Sequence, residues 1–141
     1  MKKIEIVALP GIPAIRQGDD LARTIWQSLG EAGLAMENGD ILVVAQKTVS
    51  KAEGKVLALD SIQPSDEARK LAKTVGKEDR LVEVIMRESK EVVRAARDRL
   101  IVETRLGLIC ANAGVDRSNI SQAEGTRVSL LPTDPDASAE C

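Results

Sequence analysis

The chain contains no phenylalanine and no tyrosine, and its one tryptophan is Trp26. Its core must therefore be built from valine, isoleucine, leucine and alanine, which suits β-strands covered by helices with small side chains. With 141 residues, 43% of them hydrophobic, the chain is long enough to bury one such core. We therefore expect a single domain, residues 1–141, of mixed α/β or α+β class.

The charges and cysteines argue against several classes of function. The 20 basic and 22 acidic residues are interspersed, so no basic face or aromatic platform indicates nucleic-acid binding. Cys110 and Cys141 lie far apart and histidine is absent, which disfavours a disulfide framework, a zinc site and histidine-based catalysis. No apolar run approaches membrane-spanning length, and the N-terminus lacks a signal-peptide pattern. These features predict a cytoplasmic protein that binds neither nucleic acid nor membrane.

The strands are predicted from apolar runs between turn residues. Residues 4–9 form a short run that ends at Pro10, and residues 41–45 form a continuous run typical of a strand buried on both faces. Residues 100–103 and 108–111 read as a hairpin, and residues 128–131 as a last strand. We expect these strands to form a mixed β-sheet flanked by about three helices.

The helices are predicted from capping residues and apolar periodicity. The first begins at Asp19 and Asp20 and carries Trp26 on its apolar face, where we expect the indole to join the core. A second helix is capped by Ser65. A third is capped by Asp79 and continues to residue 96.

Residues 110–119 combine two amides, a carboxylate, a guanidinium and a hydroxyl around Gly114. A polar turn that follows a strand is a place where α/β proteins build ligand sites. Asp116 is a candidate ligand for a hard cation, and the side chain of Asn119 can both donate and accept hydrogen bonds. The alternative is an ordinary tight turn in which Asp116 caps the loop.

Lys47, Lys51 and Lys55 follow the apolar run 41–45 at a spacing of four residues, together with Ser50 and Gly54. Ammonium groups, a hydroxyl and free backbone N–H groups after a strand can hold an anion. The alternative is three solvated lysines on a surface loop. Because the chain has no GxxxxGK[ST] motif, any nucleotide here must be held without a Walker loop.

Five segments of the chain stand in an order and spacing that resembles the N-terminal half of the coenzyme F420 γ-glutamyl ligase family. They are residues 11–15 leading to 18–20, residues 39–47 leading to 49–54, residues 81–85 with 87–89, residues 113–119, and residues 130–132 with 134–136. The resemblance extends over residues 4–139. The chains of this family continue well beyond the position that matches residue 139. The resemblance therefore implies that residues 1–141 are the N-terminal portion of the ligase fold.

The resemblance also implies a reaction and its partners. In the family, GTP phosphorylates the terminal carboxylate of F420-0, the F420 precursor that lacks glutamate, and L-glutamate is then joined through γ-linked amide bonds. The implied cation is Mn²⁺ or Mg²⁺, and the implied protein partner is a second copy in a homodimer or the missing C-terminal half. A non-catalytic module of the same fold, which binds a nucleotide or pairs with a separate half, remains an alternative. If the resemblance is set aside, a third alternative is an α/β domain that binds an anion and catalyses no reaction.

The resemblance implies site residues at the matching positions. Asp116 matches a carboxylate that holds the divalent cation, while a second set of carboxylates lies downstream of Cys141 in the family. Lys51 would act as a point charge on phosphate oxygens, and Pro13 would preset a turn that meets the nucleotide. No residue is assigned as catalytic. The positions that match the family's GTP site are Ile12, Pro13, Ala14, Ile15, Gln46, Lys47, Lys51 and Asn119.

Overall fold

The computed structural model describes residues 3–117 and 126–140. In this part of the chain, helices and strands follow one another in an α+β order, which confirms the predicted fold class. The helices are α1 (Leu21–Glu31), α2 (Gln46–Ala52), α3 (Asp66–Val75), α4 (Asp79–Arg87) and α5 (Pro135–Glu140). The strands are β1 (Val56–Ala58), β2 (Ser89–Ala96), β3 (Arg99–Thr104), β4 (Ile109–Ala111) and β5 (Arg127–Ser129). Single turns of 3₁₀ helix span Leu59–Ser61 and Asn112–Gly114.

The described strands form two antiparallel sheets rather than the one mixed sheet expected from the sequence. In one sheet β1 pairs with β5, with Val56 opposite Ser129. In the other, β3 lies between β2 and β4, so that Val102 faces Val92 on one side and Cys110 on the other. The predicted hairpin between β3 and β4 is therefore confirmed. Its turn closes through the Thr104 N–H, which donates to the carbonyl of residue 108 at 2.8 Å.

Two of the three predicted helix starts are confirmed by side-chain caps. The Asp20 carboxylate accepts from the Arg23 N–H at 2.9 Å, and the Ser65 hydroxyl accepts from the Ala68 N–H at 3.1 Å. Each cap satisfies one backbone donor that has no partner within the first turn of its helix. The third cap is shifted by one residue, because Asp79 is the first helical residue of α4 and the N-cap position is Glu78, whose side chain makes no capping hydrogen bond.

The prediction that the third helix continues to residue 96 is wrong. α4 ends at Arg87, and residues 89–96 form β2 against β3. The periodicity of residues 79–96 fits a helix, but Val92 and Val93 are β-branched and fit a strand equally well. The edge of β3 decides between the two, because β2 pairs with it along its length, with two irregularities in the register.

Residues 4–9 and 41–45 are not strands in the structure, and both predictions are wrong. These segments have no regular structure, and Ile6 and Ile41 are 92% and 86% exposed. Trp26 is also outside the core, at 71% exposure. The core begins at Leu59 and ends at Leu130, and no buried apolar side chain of the described residues precedes it. A strand forms only when a neighbour takes up its backbone groups, and in the described residues neither run has one.

No helix of the described residues is both long enough and apolar enough to cross a membrane.

The contact between Ser65 and Glu83 joins α3 to α4 and predicts how stability depends on pH. The Ser65 N–H and hydroxyl donate to Glu83 Oε2 at 2.9 and 2.7 Å. These two bonds lower the pKa of Glu83, partial burial opposes the change, and a hydrogen bond from Arg87 reinforces it. Because the folded-state pKa is the lower one, the stabilisation is complete above the unfolded value of about 4.3 and is lost as the pH falls through the folded value.

We therefore expect the free energy of unfolding to fall between pH 5 and about pH 3, with part of the fall removed by Glu83→Gln. Urea denaturation across this range measures it. Glu67→Gln is the matched control, since Glu67 is exposed on α3. If the two variants reduce the pH dependence equally, the Ser65 contact is not its source.

Candidate functional site

Helix α2 carries three of the predicted site residues, Gln46, Lys47 and Lys51. The sequence predicted that the three lysines follow a strand; the structure places Lys47 and Lys51 on a helix after an irregular segment. Residues four apart lie on the same side of a helix, so Lys47 and Lys51 face the same way. Lys55 follows the end of α2, and its carbonyl accepts from the Leu130 N–H at 2.9 Å. Lys47 and Lys51 are thus presented by a helix, and Lys55 by the segment that follows it.

A buried polar contact fixes α2 to the segment that follows β5. Ser50 is fully buried, and its hydroxyl donates to the Leu130 carbonyl at 2.6 Å. Gln46 Nε2 donates to the same carbonyl at 3.1 Å and also to the Ser50 hydroxyl. The sequence suggested that the Ser50 hydroxyl holds an anion, and the structure gives it a structural partner instead. Its position four residues after Gln46 was the one available signal, since such a pair shares a helix face.

Asp116 lies beside Lys47, although 69 residues separate them in the chain. Its backbone exchanges two hydrogen bonds with Ser129, at 3.0 and 2.8 Å, which extends the β1–β5 sheet by one bridge. This places its carboxylate over α2, where Lys47 Nζ lies 2.7 Å from Asp116 Oδ2. The structure therefore brings together Lys47, one of the residues predicted for the nucleotide site, and Asp116, the predicted metal ligand.

The ion pair between Lys47 and Asp116 can be opened at small cost. The side chains are 25% and 41% exposed. An ion pair in contact with solvent contributes about 0–1 kcal/mol, because water and salt screen it. A phosphate group could take over Lys47, and a cation could take over Asp116, with little loss of folding free energy.

The turn before Asp116 has an unusual backbone. Asn112, Ala113 and Gly114 all have positive φ, at 54°, 54° and 70°. A side chain at Gly114 would meet Leu131, since an added Cβ would lie 2.7 Å from the leucine Cγ. Only glycine fits both this conformation and this close approach. The turn is therefore a specific feature of the fold, and it sets the direction in which the chain reaches Asp116.

A buried amide oxygen within this turn and an ion pair just after it are further features of the loop. Asn112 Oδ1 is buried with no hydrogen-bond partner among residues 3–117 and 126–140. Arg117, directly after Asp116, forms an ion pair with Glu78 at the start of α4 at 2.5 Å. The Arg117 contact, which the sequence did not predict, ties the site loop to the helical layer.

Ile12, Pro13, Ala14 and Ile15 lie in an irregular, largely exposed segment before α1. In the described part of the chain no hydrogen bond joins them to α2 or to Asp116. The segment that follows them does reach α2, because the residue 18 N–H donates to the Ala52 carbonyl at 2.8 Å. The predicted Ile-Pro-Ala-Ile turn thus ends three residues before a residue that is bonded to the end of α2, and it is not part of the Lys47–Asp116 pair. Asn119 lies outside the described residues.

One carboxylate suits only a particular kind of metal site. Among the described residues, no three acidic or cysteine side chains gather closely enough to hold a metal ion. Asp134 and Asp136 are exposed at the start of α5. A protein cage for Mg²⁺ or Mn²⁺ would need more oxygen ligands, but an ion that bridges phosphates needs only one or two carboxylates besides the phosphate oxygens and water. Asp116 beside Lys47 fits this second kind of site.

The fold and the site together define an α+β domain in which a lysine-bearing helix faces a single carboxylate. The sequence profile of the family described as F420-0:Gamma-glutamyl ligase matches residues 11–141, and the chain belongs to this family.

Relatives in three archaea carry the same name, coenzyme F420:L-glutamate ligase. The protein of Methanothermobacter thermautotrophicus is 44% identical over 137 residues, which are 97% of this chain and 53% of the relative. That of Methanopyrus kandleri is 46% identical over 136 residues, 96% of this chain and 51% of the relative. That of Methanocaldococcus jannaschii is 40% identical over 141 residues, 99% of this chain and 52% of the relative. This chain spans about half the length of these relatives.

Proposed function

We propose that this chain is the N-terminal portion of a GTP-dependent ligase that joins L-glutamate to F420-0 through a γ-linked amide bond, in the cytoplasm. The observation that carries the proposal is the contact between Lys47 and Asp116. It joins a cationic helix to a carboxylate, and phosphoryl transfer needs such groups to neutralise charge on phosphates. The type of reaction is proposed from membership of the ligase family.

The proposed reaction has two steps. The terminal carboxylate of F420-0 attacks the γ-phosphorus of GTP, the bond from that phosphorus to the β-phosphate oxygen breaks, and an acyl phosphate and GDP result. The amine of L-glutamate then attacks the acyl carbon, the amide bond forms, the C–O bond to phosphate breaks, and the amine loses a proton. Lys47 and Lys51 hold phosphate oxygens throughout. Asp116 would hold Mn²⁺ or Mg²⁺, which would supply charge neutralisation on the phosphates.

A second part of the proposal concerns the protein partner. Residues 4–9 and 41–45 expose isoleucine and valine side chains in runs that have the composition of strands. Contiguous exposed apolar surface marks an interaction site in most soluble proteins. We propose that the polypeptide corresponding to the second half of the relatives covers these runs and brings further carboxylates to Asp116. A homodimer that covers the same runs is the competing arrangement.

A chimera tests the ligase proposal. This chain is joined to the second half of the Methanopyrus kandleri relative and supplied with F420-0, L-glutamate, GTP and Mn²⁺. We expect GDP release that depends on both other substrates, and a product heavier than F420-0 by one glutamyl residue. The control is the same chimera with Lys47→Met and Asp116→Asn combined, which should fold and release no GDP.

The chimera also separates the second candidate, a non-catalytic module of the same fold. The exposed apolar runs favour this candidate as much as the first, because a pairing module also needs an uncovered surface. GTP binding by the chimera without ligation would support the module. Absence of both GTP binding and ligation in a folded chimera would overturn the nucleotide site altogether.

A further inference from the structure

A cavity of about 250 Å³ lies next to the site, and its lining includes none of the residues that the family resemblance assigns to the nucleotide. It opens between the end of α4, the turn that joins β3 to β4, and residues 130–133. Thr104, Ala113 and Leu130 form its buried floor. Leu130 also accepts the hydrogen bonds from α2, and residue 129 pairs with Asp116. The cavity and the Lys47–Asp116 pair thus lie along the same short segment of chain.

The charged groups around the cavity are two cations and one anion. Lys55 and Arg105 supply the positive charges, and Glu88 at the end of α4 supplies the negative charge. In the described part of the chain these three side chains form no ion pair with one another or with any other residue. Arg105 and Glu88 are held close through the backbone, since the Arg105 N–H donates to the Glu88 carbonyl at 3.2 Å. Their charges are therefore available to a ligand.

This set of charges complements an acidic amino acid. L-Glutamate has two carboxylates and one ammonium group, so each of its charges would meet an opposite one. Arg105 can grip a carboxylate with two parallel hydrogen bonds, and Lys55 can act on the other as a point charge. The Glu88 carboxylate can accept from the ammonium group. The volume agrees with a small ligand, because pockets for drug-sized molecules start at about 300 Å³.

We propose that this cavity binds the substrate L-glutamate, with Arg105 and Lys55 on its carboxylates and Glu88 on its ammonium group. The proposal rests on the proposed ligase function and assigns one of its substrates to a place. Bound there, the amino acid would lie beside the segment that carries Asp116. The volume is too small for GTP or the deazaflavin, so these substrates would bind elsewhere.

Direct binding to this chain tests the proposal, because every lining residue belongs to it. The protein is titrated with L-glutamate and, separately, with glutarate, which lacks the ammonium group, and binding is followed by NMR. We expect Arg105→Gln to weaken binding of both ligands about tenfold or more. Glu88→Gln should weaken binding of L-glutamate alone, so that the preference over glutarate disappears. A residue with a purely structural role would not change this preference.

Arg94→Gln is the matched control, since Arg94 is exposed on β2 and does not line the cavity. Lys55→Gln is a second variant in case Glu88→Gln does not fold. The proposal is overturned if the wild-type chain does not bind L-glutamate, or if Arg105→Gln and Arg94→Gln bind it equally well. Titration of the same samples with GTP and Mn²⁺ separates the two proposals. Retained GTP binding with no glutamate site overturns the cavity assignment alone.

Discussion

Replacing Leu59 by alanine is expected to lower the free energy of unfolding by about 3 kcal/mol. Leu59 is fully buried in the cluster that joins α3, α4, β3 and β5. Its truncation costs the transfer free energy of three side-chain carbons, one methine and two methyl groups, and leaves a cavity that the surrounding elements can fill only in part. Urea denaturation of this chain, analysed as a two-state transition, measures the change.

Ile41→Ala is the matched control for the Leu59 substitution. The side chain of Ile41 is 86% exposed, so its truncation should change the stability of this chain by less than about 0.5 kcal/mol. In the chimera with the second half of a relative, the same substitution should cost about 1 kcal/mol or more if that half covers residues 41–45. An equal loss from the two substitutions in this chain alone would mean that the run 41–45 already belongs to the core.

Lys47→Met and Asp116→Asn are expected to weaken GTP binding in different ways. Lys47→Met removes a charge from the phosphates and should lower the affinity about tenfold, with or without Mn²⁺. Asp116→Asn should leave metal-free binding nearly unchanged and abolish the gain that Mn²⁺ brings, because an amide is a much poorer ligand for a hard cation than a carboxylate. Titration calorimetry with and without Mn²⁺ distinguishes the two effects.

Lys73→Met serves as the control for the nucleotide titrations, since Lys73 is exposed on α3 and is not among the predicted site residues. If Asp116→Asn reduces metal-free binding as strongly as Lys47→Met does, Asp116 acts through the position of Lys47 and not as a metal ligand. If Lys73→Met has the same effect as Lys47→Met, the attraction of GTP is a general effect of positive charge.

Local signals in the sequence predicted the elements whose determinants lie within a few residues. Asp20 and Ser65 marked helix starts because each cap satisfies a backbone donor three positions away. The β3–β4 hairpin was also predictable from local sequence, because its two strands are separated only by the short turn around residues 105–107. The motifs that contain Lys47 and Asp116 were also readable, and the family membership inferred from them is confirmed.

The contact between those motifs could not be derived from the sequence. Lys47 and Asp116 meet because Asp116 joins the β1–β5 sheet and Ser50 fixes α2 to Leu130. Both interactions join residues that are far apart in the chain, so no helical or strand periodicity in the sequence links them. The cavity lined by Lys55, Glu88 and Arg105 was missed for the same reason, as its three charges come from separate elements.

The sequence by itself determined the helix caps at Asp20 and Ser65, the hairpin, the aliphatic core and the family, because each depends on residue types or on near neighbours. The tertiary structure decided which apolar runs become strands. Residues 89–96 could follow a helical or an extended pattern, and the open edge of β3 selected the strand. Residues 4–9 and 41–45 had the composition of strands, but a strand needs a partner for its backbone N–H and C=O groups, and the described residues provide none.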